Sequence, residues 1–497
     1  MSFIFYQPKM LKFLFLFCCS IAGLIGAVDF SCYTQPITSV MLGGNLPLDA
    51  TNLTDVKSGT NCTFTFVIPT NYVLLLKFSW LLASENDSVI IFDNNGNSRF
   101  SLHQFSYPVF DKQLWMPAKS TKVQVVGKSG DSKFFMSYVY QSIDNYTKVS
   151  KRTGEPISLR SMADNTFTTV TSPTAGEKVV LTPGTRAGSS DSPLVQYFVY
   201  DGDSITGANF LGRLSELQKV MKSSTGQSVS IVRFSEEKSG SYVLGNDASA
   251  LNGFGEYNVF VTSRGNMLAN TLNDSTTSVK GTANTFICVD CSTFYLSKLS
   301  FYDSTSLYKY ITLQGQTPTH KREQLIQYDS NTLTANQFPQ MLPTNVFTMN
   351  IYRGKADYNL NTINDDTAWK RPYVGRKGYI FSPSLWTSAA NNFTYEFRDN
   401  SQNFNFTLNM QKMSFPASSD QMTLKIGSGS GTPAVNKQYP RDQTSNSQVM
   451  ANGNYMQVGL SASVAADVRL SFEIQKGNLA KAVGVLVTIV LTLFYSF

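Results

Sequence analysis

Cys288-Val-Asp-Cys291 is the sharpest chemical motif in this 497-residue chain. Two cysteines at this spacing can run thiol–disulfide exchange when a helix N-terminus or a cationic neighbour lowers one thiol's pKa. Here the surroundings read TFICVDCSTFY, aromatic and strand-like. That context points to a local structural bridge. Geometry then sets a condition: in an extended strand the two Cα atoms stand about 10 Å apart, beyond the roughly 7 Å that a disulfide spans. Residues 288–291 must therefore turn if they are bridged. The enzymatic alternative is a surface thiol oxidoreductase using Cys288 and Cys291.

Other catalytic constellations do not assemble. His103 and His320 are the only histidines, far apart in the chain, so a histidine-rich zinc site or a Ser-His-Asp triad lacks its parts. GSGSG at 427–431 has glycine where a nucleophile elbow needs serine. GKS at 127–129 lacks the upstream glycine of a phosphate loop. The chain reads as a non-enzyme.

The termini and the sequons place it. Lys9 and Lys12 precede an apolar stretch from Phe13 to Gly26, followed by the small residue Ala27. This pattern reads as a secretory signal over 1–27, with the true start at Met1 or Met10. At the other end, sixteen uncharged residues run from Ala482 to Phe497. As a helix they would span about 24 Å, short of the roughly 30 Å hydrocarbon core. Small residues lie just upstream in Gly477-Asn478-Leu479-Ala480. Together they read as a glycosylphosphatidylinositol signal, with Asn478 as the attachment residue, Gly477 second, and 479–497 removed. A short C-terminal membrane span is the alternative. Asn52, Asn61, Asn86, Asn145, Asn273, Asn392 and Asn405 head seven N-glycosylation sequons. Once Cys18 and Cys19 leave with the signal, an even set of Cys32, Cys62, Cys288 and Cys291 remains, as an oxidising compartment favours. The net charge of +7 falls by three to +4 without Lys9, Lys12 and Lys481, which argues against a nucleic-acid footprint. The expected location is the extracellular face of the plasma membrane.

The elements between are strands. Met422, Leu424 and Ile426 alternate, as do Met456, Val458 and Leu460, and again Val468, Leu470, Phe472 and Ile474. Period-2 alternation is the mark of a half-buried strand. Further runs lie at 72–80, 88–93, 122–126, 193–200, 228–234 and 256–261, separated by turn clusters such as DNNGN and GSGSGT. One stretch differs: at 208–224, Leu211, Leu214, Leu217 and Met221 fall at helical spacing, and a short core-facing helix or helix-like loop is expected. The strand clusters group into modules at 28–142, 156–264, 280–355 and 374–475, the third with the weakest signals. Linkers are expected at 142–156, 264–282 and 354–374. Aromatic residues make up 13% of the chain, and any exposed in loops could stack on sugars.

VYDGDSITGANFLG, then SVSIVRFSEE and GFGEYNVFV, resembles the second half of a CUB domain. The first module, from Cys32 through DSVIIFDNNGN, resembles the CUB-like domain of secreted nematode proteins. The resemblance implies tandem all-β, antiparallel jelly-roll sandwiches with short or no helices, and a role in binding. It also implies a Cys32–Cys62 pair, which elimination supports once Cys288 and Cys291 are joined. Members of that group are associated with innate immune responses, so the ligand expected is a glycan or protein at a cell surface. A structural or adhesive coat glycoprotein is the alternative. The resemblance raises one cofactor, calcium, with Asp191, Asp201 and Asp203 near the Asp-Gly turn as its ligands. Calcium wants about six to eight oxygens, and aspartate is also ordinary turn chemistry.

Overall fold

A computed structural model describes residues 30–477, apart from 95, 103–106, 118, 187–190, 218–220, 303–307, 322, 364, 389–391, 430 and 441–446. The signal segment, Asn478, the C-terminal strip and His103 lie outside the described residues. Among those described, seven sheets form and helices are limited to short turns.

The first sandwich is built by alternation. In Thr60–Val67, Cys62, Phe64 and Phe66 point inward. That strand joins Ser120–Gly127, Ser88–Phe92 and Ser98–Leu102 in one antiparallel sheet. The facing sheet runs Gly43–Leu46, Ser132–Ser142, Tyr72–Leu81 and Val109–Met116. Phe64, Phe66, Phe78, Ile91, Phe134 and Met136 fill the space between, fully buried. At about 25 cal/mol per Å² of buried apolar surface, such aromatic side chains supply most of the driving force for closure.

Residues 148–205 and 211–477 belong to a second compact unit. Its first sandwich sets the sheet Thr147–Arg152, Thr166–Thr171, Ser228–Arg233, Tyr197–Asp201, Phe210–Arg213 against another that does not stop at the module edge. Pro156–Ser158, Tyr242–Asp247, Val179–Arg186 and Glu256–Thr262 continue directly into Thr282–Cys288, Val346–Tyr352, Tyr310–Gly315 and Gln324–Asp329. The joint is parallel on both sides of Glu256–Thr262, which pairs with Val179–Arg186 and with Thr282–Cys288. One eight-stranded sheet therefore serves two cores. Met267–Asp274, Gly354–Asn361, Phe294–Phe301 and Gln340–Leu342 close the third sandwich. The fourth pairs two four-stranded antiparallel sheets running from Lys377–Phe381 to Asp467–Lys476 around Phe404, Phe406, Leu424, Val458 and Phe472.

Three stretches expected as linkers are structured. Thr147–Arg152 lies in the first, Met267–Asp274 in the second, and Gly354–Asn361 with the short helix Asp366–Lys370 in the third. The first two are edge strands: Thr147–Arg152 is exposed throughout, and Met267–Asp274 buries only Leu268, Leu272 and Asp274. An edge strand with one wet face and sparse inward residues loses the alternation that marks a strand. The helix considered for 208–224 is replaced by Phe210–Arg213 in extended form and a single 3-10 turn, Leu214–Leu217. Gly212 sits at φ +148°, which no helix accommodates. Leu214 and Leu217 do face the core.

Candidate functional site

Both cysteine pairs are joined. Cys32 and Cys62 have Cα atoms 5.1 Å apart, and Cys288 and Cys291 5.6 Å apart. Thr282–Cys288 ends at its cysteine and the chain bends at 289–290. Cys288 is 1% exposed and packs in the third core, a poor place for an exchanging thiolate. Asn52, Asn61, Asn86, Asn145, Asn273 and Asn392 are exposed, while Asn405 is half-buried in Phe404–Ser414.

The three aspartates raised for calcium do not converge. Asp191 accepts hydrogen bonds from the hydroxyls of Ser239, at 2.6 Å, and Ser241. Asp201 accepts from the Thr225 N–H at 2.9 Å and its hydroxyl at 2.7 Å. Asp203 pairs with Lys148 at 2.9 Å. Each carboxylate is engaged by protein donors, and among the described residues no three His, Cys, Asp or Glu side chains are grouped to hold a metal ion.

Asp191 instead belongs to a device that recurs. In the first module Asp87, fully buried, accepts from the Lys128 N–H at 2.5 Å, the Ser129 N–H at 3.1 Å and the hydroxyls of Ser129 and Ser132. In the fourth, Asp420 accepts from the Ser463 N–H and hydroxyl, both at 2.8 Å. In each case an aspartate before one strand ties down a serine in the loop before a later strand. Burial alone would raise the Asp87 pKa, but the hydroxyls of Ser129 and Ser132 and the two N–H groups outweigh it and hold it at about 2. These aspartates fix loops.

Two cavities with room for a ligand lie among the described residues: one of about 510 Å³ beside Arg160, Arg186, Asp191 and Ser241, and a smaller one on the shared sheet. Register puts Phe286, Phe347, Met349 and Ile351 on the face turned to the third core. The opposite face carries Thr285 and Thr348, then Asn350 and Tyr352, then Tyr310, Thr312 and Gln314. Its hydroxyls form a ladder across the joint: Tyr257 to Thr285 at 2.7 Å, and Thr285 to Thr348 at 2.8 Å. Beyond the ladder the face opens into a cleft of about 250 Å³. Ser249 and Ala250 of the short helix Ala248–Leu251, with Phe254, Val279, Lys280 and Pro318, wall it. Tyr310, Thr312, Gln314, Gln324, Asn350 and Tyr352 line the rest.

The aromatic side of this cleft is preorganised. Tyr310 and Tyr352 are directly opposed across two strands and stack at 4.8 Å and 24°. Arg353 covers the other face of the pair, its guanidinium 4.9 Å from the Tyr352 ring. Tyr308 packs on Tyr310 at 5.6 Å and donates to Asp329 at 2.5 Å. Tyr310 and Tyr352 line the cleft, with Tyr308 packed behind Tyr310. Burial and the neighbouring Tyr352 push the Tyr310 phenol up, so it is a protonated donor at neutral pH. Sequence reasoning missed this site. Its signal was present: Tyr310-x-Thr312-x-Gln314 and Asn350-x-Tyr352 alternate an apolar inward face with a polar or aromatic outward one.

Comparisons with solved structures add little to this geometry. The chain is similar to the human MASP-1/3 CUB1-EGF-CUB2 region at 10% identity, covering 41% of this chain and 98% of that one, with a TM-score of 0.18. It is similar to the corresponding domains of rat MASP-1 at 9% identity, covering 66% and 99%, with a TM-score of 0.20. It is similar to the extracellular region of zebrafish Gpr126/Adgrg6 at 7% identity, covering 91% and 53%, with a TM-score of 0.19. At such scores these likenesses carry no argument. No curated protein matches the sequence. No helix among the described residues is long and apolar enough to cross a membrane. The sequence itself is more telling: over residues 27–144, the first sandwich, the chain is matched by the model of the CUB-like domain, a family of typically extracellular and generally non-catalytic binding modules.

Proposed function

We propose that the mature protein is a non-enzymatic recognition protein on the outer face of the plasma membrane, held by a glycolipid at Asn478 and binding an extracellular glycan or protein. A part in an innate immune response is the physiological setting this reading favours, through the family resemblance of the first module. The observation that carries it is the cleft on the shared sheet, where outward tyrosines and amides stand on a rigid floor. Rigid sheets bearing a few convergent polar groups suit ligand selection. A panel of intact cells, extracellular proteins and oligosaccharides tests it with the soluble ectodomain, residues 28–477. Saturable binding to any class supports recognition. Binding no greater than that of an unrelated glycosylated sandwich protein overturns it and favours a surface-coat spacer. Phospholipase treatment of intact cells tests the anchor: release is expected, and retention favours a short membrane span.

A further inference from the structure

Gln314 is one of the cleft's amides. It is 7% exposed and lines the cavity, and neither of its amide atoms is among the polar atoms sealed from water without a partner, so the amide is open to the cleft. Buried amides are normally paired, because an unmet donor or acceptor costs about 1–3 kcal/mol. An unmet group stands on the neighbouring strand, diagonal to Gln314: Asn350 donates to the Thr312 hydroxyl at 3.3 Å, but its Oδ1 is buried without a partner. The cleft thus holds an open amide and an unmet carbonyl oxygen beside the hydroxyls of Thr312 and Tyr310.

These groups select a ligand chemistry. Each amide both donates and accepts, as does each hydroxyl. Their complement is a molecule with several hydroxyls in fixed directions. Phe254, Val279 and Pro318 add apolar lining that suits C–H groups, with the Lys280 ammonium 5.3 Å from the Phe254 ring centroid. A pyranose ring offers both, a rim of hydroxyls and a face of C–H bonds. The cavity is small for a drug-sized ligand, for which about 300–1,000 Å³ is usual, and about 250 Å³ suits one sugar ring with its neighbours outside.

We infer that this cleft binds a single pyranose unit of an oligosaccharide, with Gln314 and Asn350 reading its hydroxyls; the inference rests on the recognition reading above. The probe is an array of defined hexose and N-acetylhexosamine oligosaccharides, followed by calorimetric titration of the strongest hit against the full ectodomain. Gln314→Leu fills the same volume without polar atoms. It should weaken binding by at least about tenfold, the equivalent of about 1.4 kcal/mol, while Tm stays level or rises. A purely structural glutamine would give the reverse, a lower Tm with affinity kept. Gln324→Ala, at the exposed rim, should weaken binding less. Equal affinity in wild type and Gln314→Leu overturns the site. Binding to cells or proteins with no binding to any saccharide overturns the ligand class and leaves the recognition reading standing. No binding to any of the three removes both.

Discussion

Two junctions hold the last three modules together, and they are made of different materials. Between the second and third, the link is backbone: Glu256–Thr262 pairs in parallel with a strand of each module. Between the third and fourth, the link is side chains. Arg376, fully buried, donates to the carbonyls of Asn336 at 3.1 Å, Pro339 at 2.6 Å, Trp369 at 3.4 Å and Lys377. Gln340 and Tyr379 exchange hydrogen bonds there at 3.0 and 2.9 Å. A junction built from backbone leaves outward side chains free to meet a ligand. One built from side chains consumes them. The cleft lies on the first junction, beyond the rungs that Tyr257, Thr285 and Thr348 spend on one another.

Breaking the side-chain junction should cost most. Arg376→Ala strands several buried carbonyls and should destabilise by about 3 kcal/mol or more. Urea unfolding is expected to show the fourth module melting ahead of the rest; a coincident, unshifted transition contradicts the role given to Arg376. The backbone junction has its own weak point at Gly281. It sits at φ +76°, and an added Cβ would lie 2.1 Å from the Ile351 carbonyl oxygen. Gly281→Ala should cost about 2–4 kcal/mol, from strain plus overpacking, and should also weaken cleft binding, which Arg376→Ala should not.

The first module sharpens the comparison as an outside reference. Asp87→Ala leaves the N–H groups of Lys128 and Ser129 unmet and should cost that module about 2 kcal/mol with both junctions untouched. The wild-type tie also predicts a pH dependence. The folded Asp87 pKa of about 2 lies below the ordinary 3.8, so its contribution is complete above about pH 4 and fades as pH falls toward 2. Thermal scans across that window should show a falling Tm that Asp87→Ala flattens. Removing Cys288 and Cys291 by serine substitution should matter less than removing Cys32 and Cys62. Loop entropy gives about 2 kcal/mol for the short closure and about 4 for the long one, and denaturant midpoints decide the order. Smallest of all, Asn405→Gln should leave the glycan mass unchanged, since Asn405 is half-buried on an interior strand and its sequon threonine, Thr407, is 5% exposed.

What was legible follows from the same contrast. Strands with one wet and one dry face, such as Gln421–Gly427 and Asp467–Lys476, announce themselves by alternation. The parallel joint does not, because which strand adopts which neighbour is decided in three dimensions. Thr147–Arg152 and Met267–Asp274 read as linkers because edge strands bury too little to leave a period. The Cys288–Cys291 bridge was legible from its spacing, and Cys32–Cys62 from the family resemblance and elimination. The cleft was not, because Tyr310 and Tyr352 come from strands separated by some forty residues, and only register shows that their rings meet.

Hydrogen exchange on the whole ectodomain tests the central claim, that the shared sheet is the recognition surface. With saturating oligosaccharide, slowed exchange is expected across 310–315 and 346–352 and unchanged exchange across 60–142. Slowing confined to the first module, or bound sugar with no slowing on the shared sheet, would contradict it.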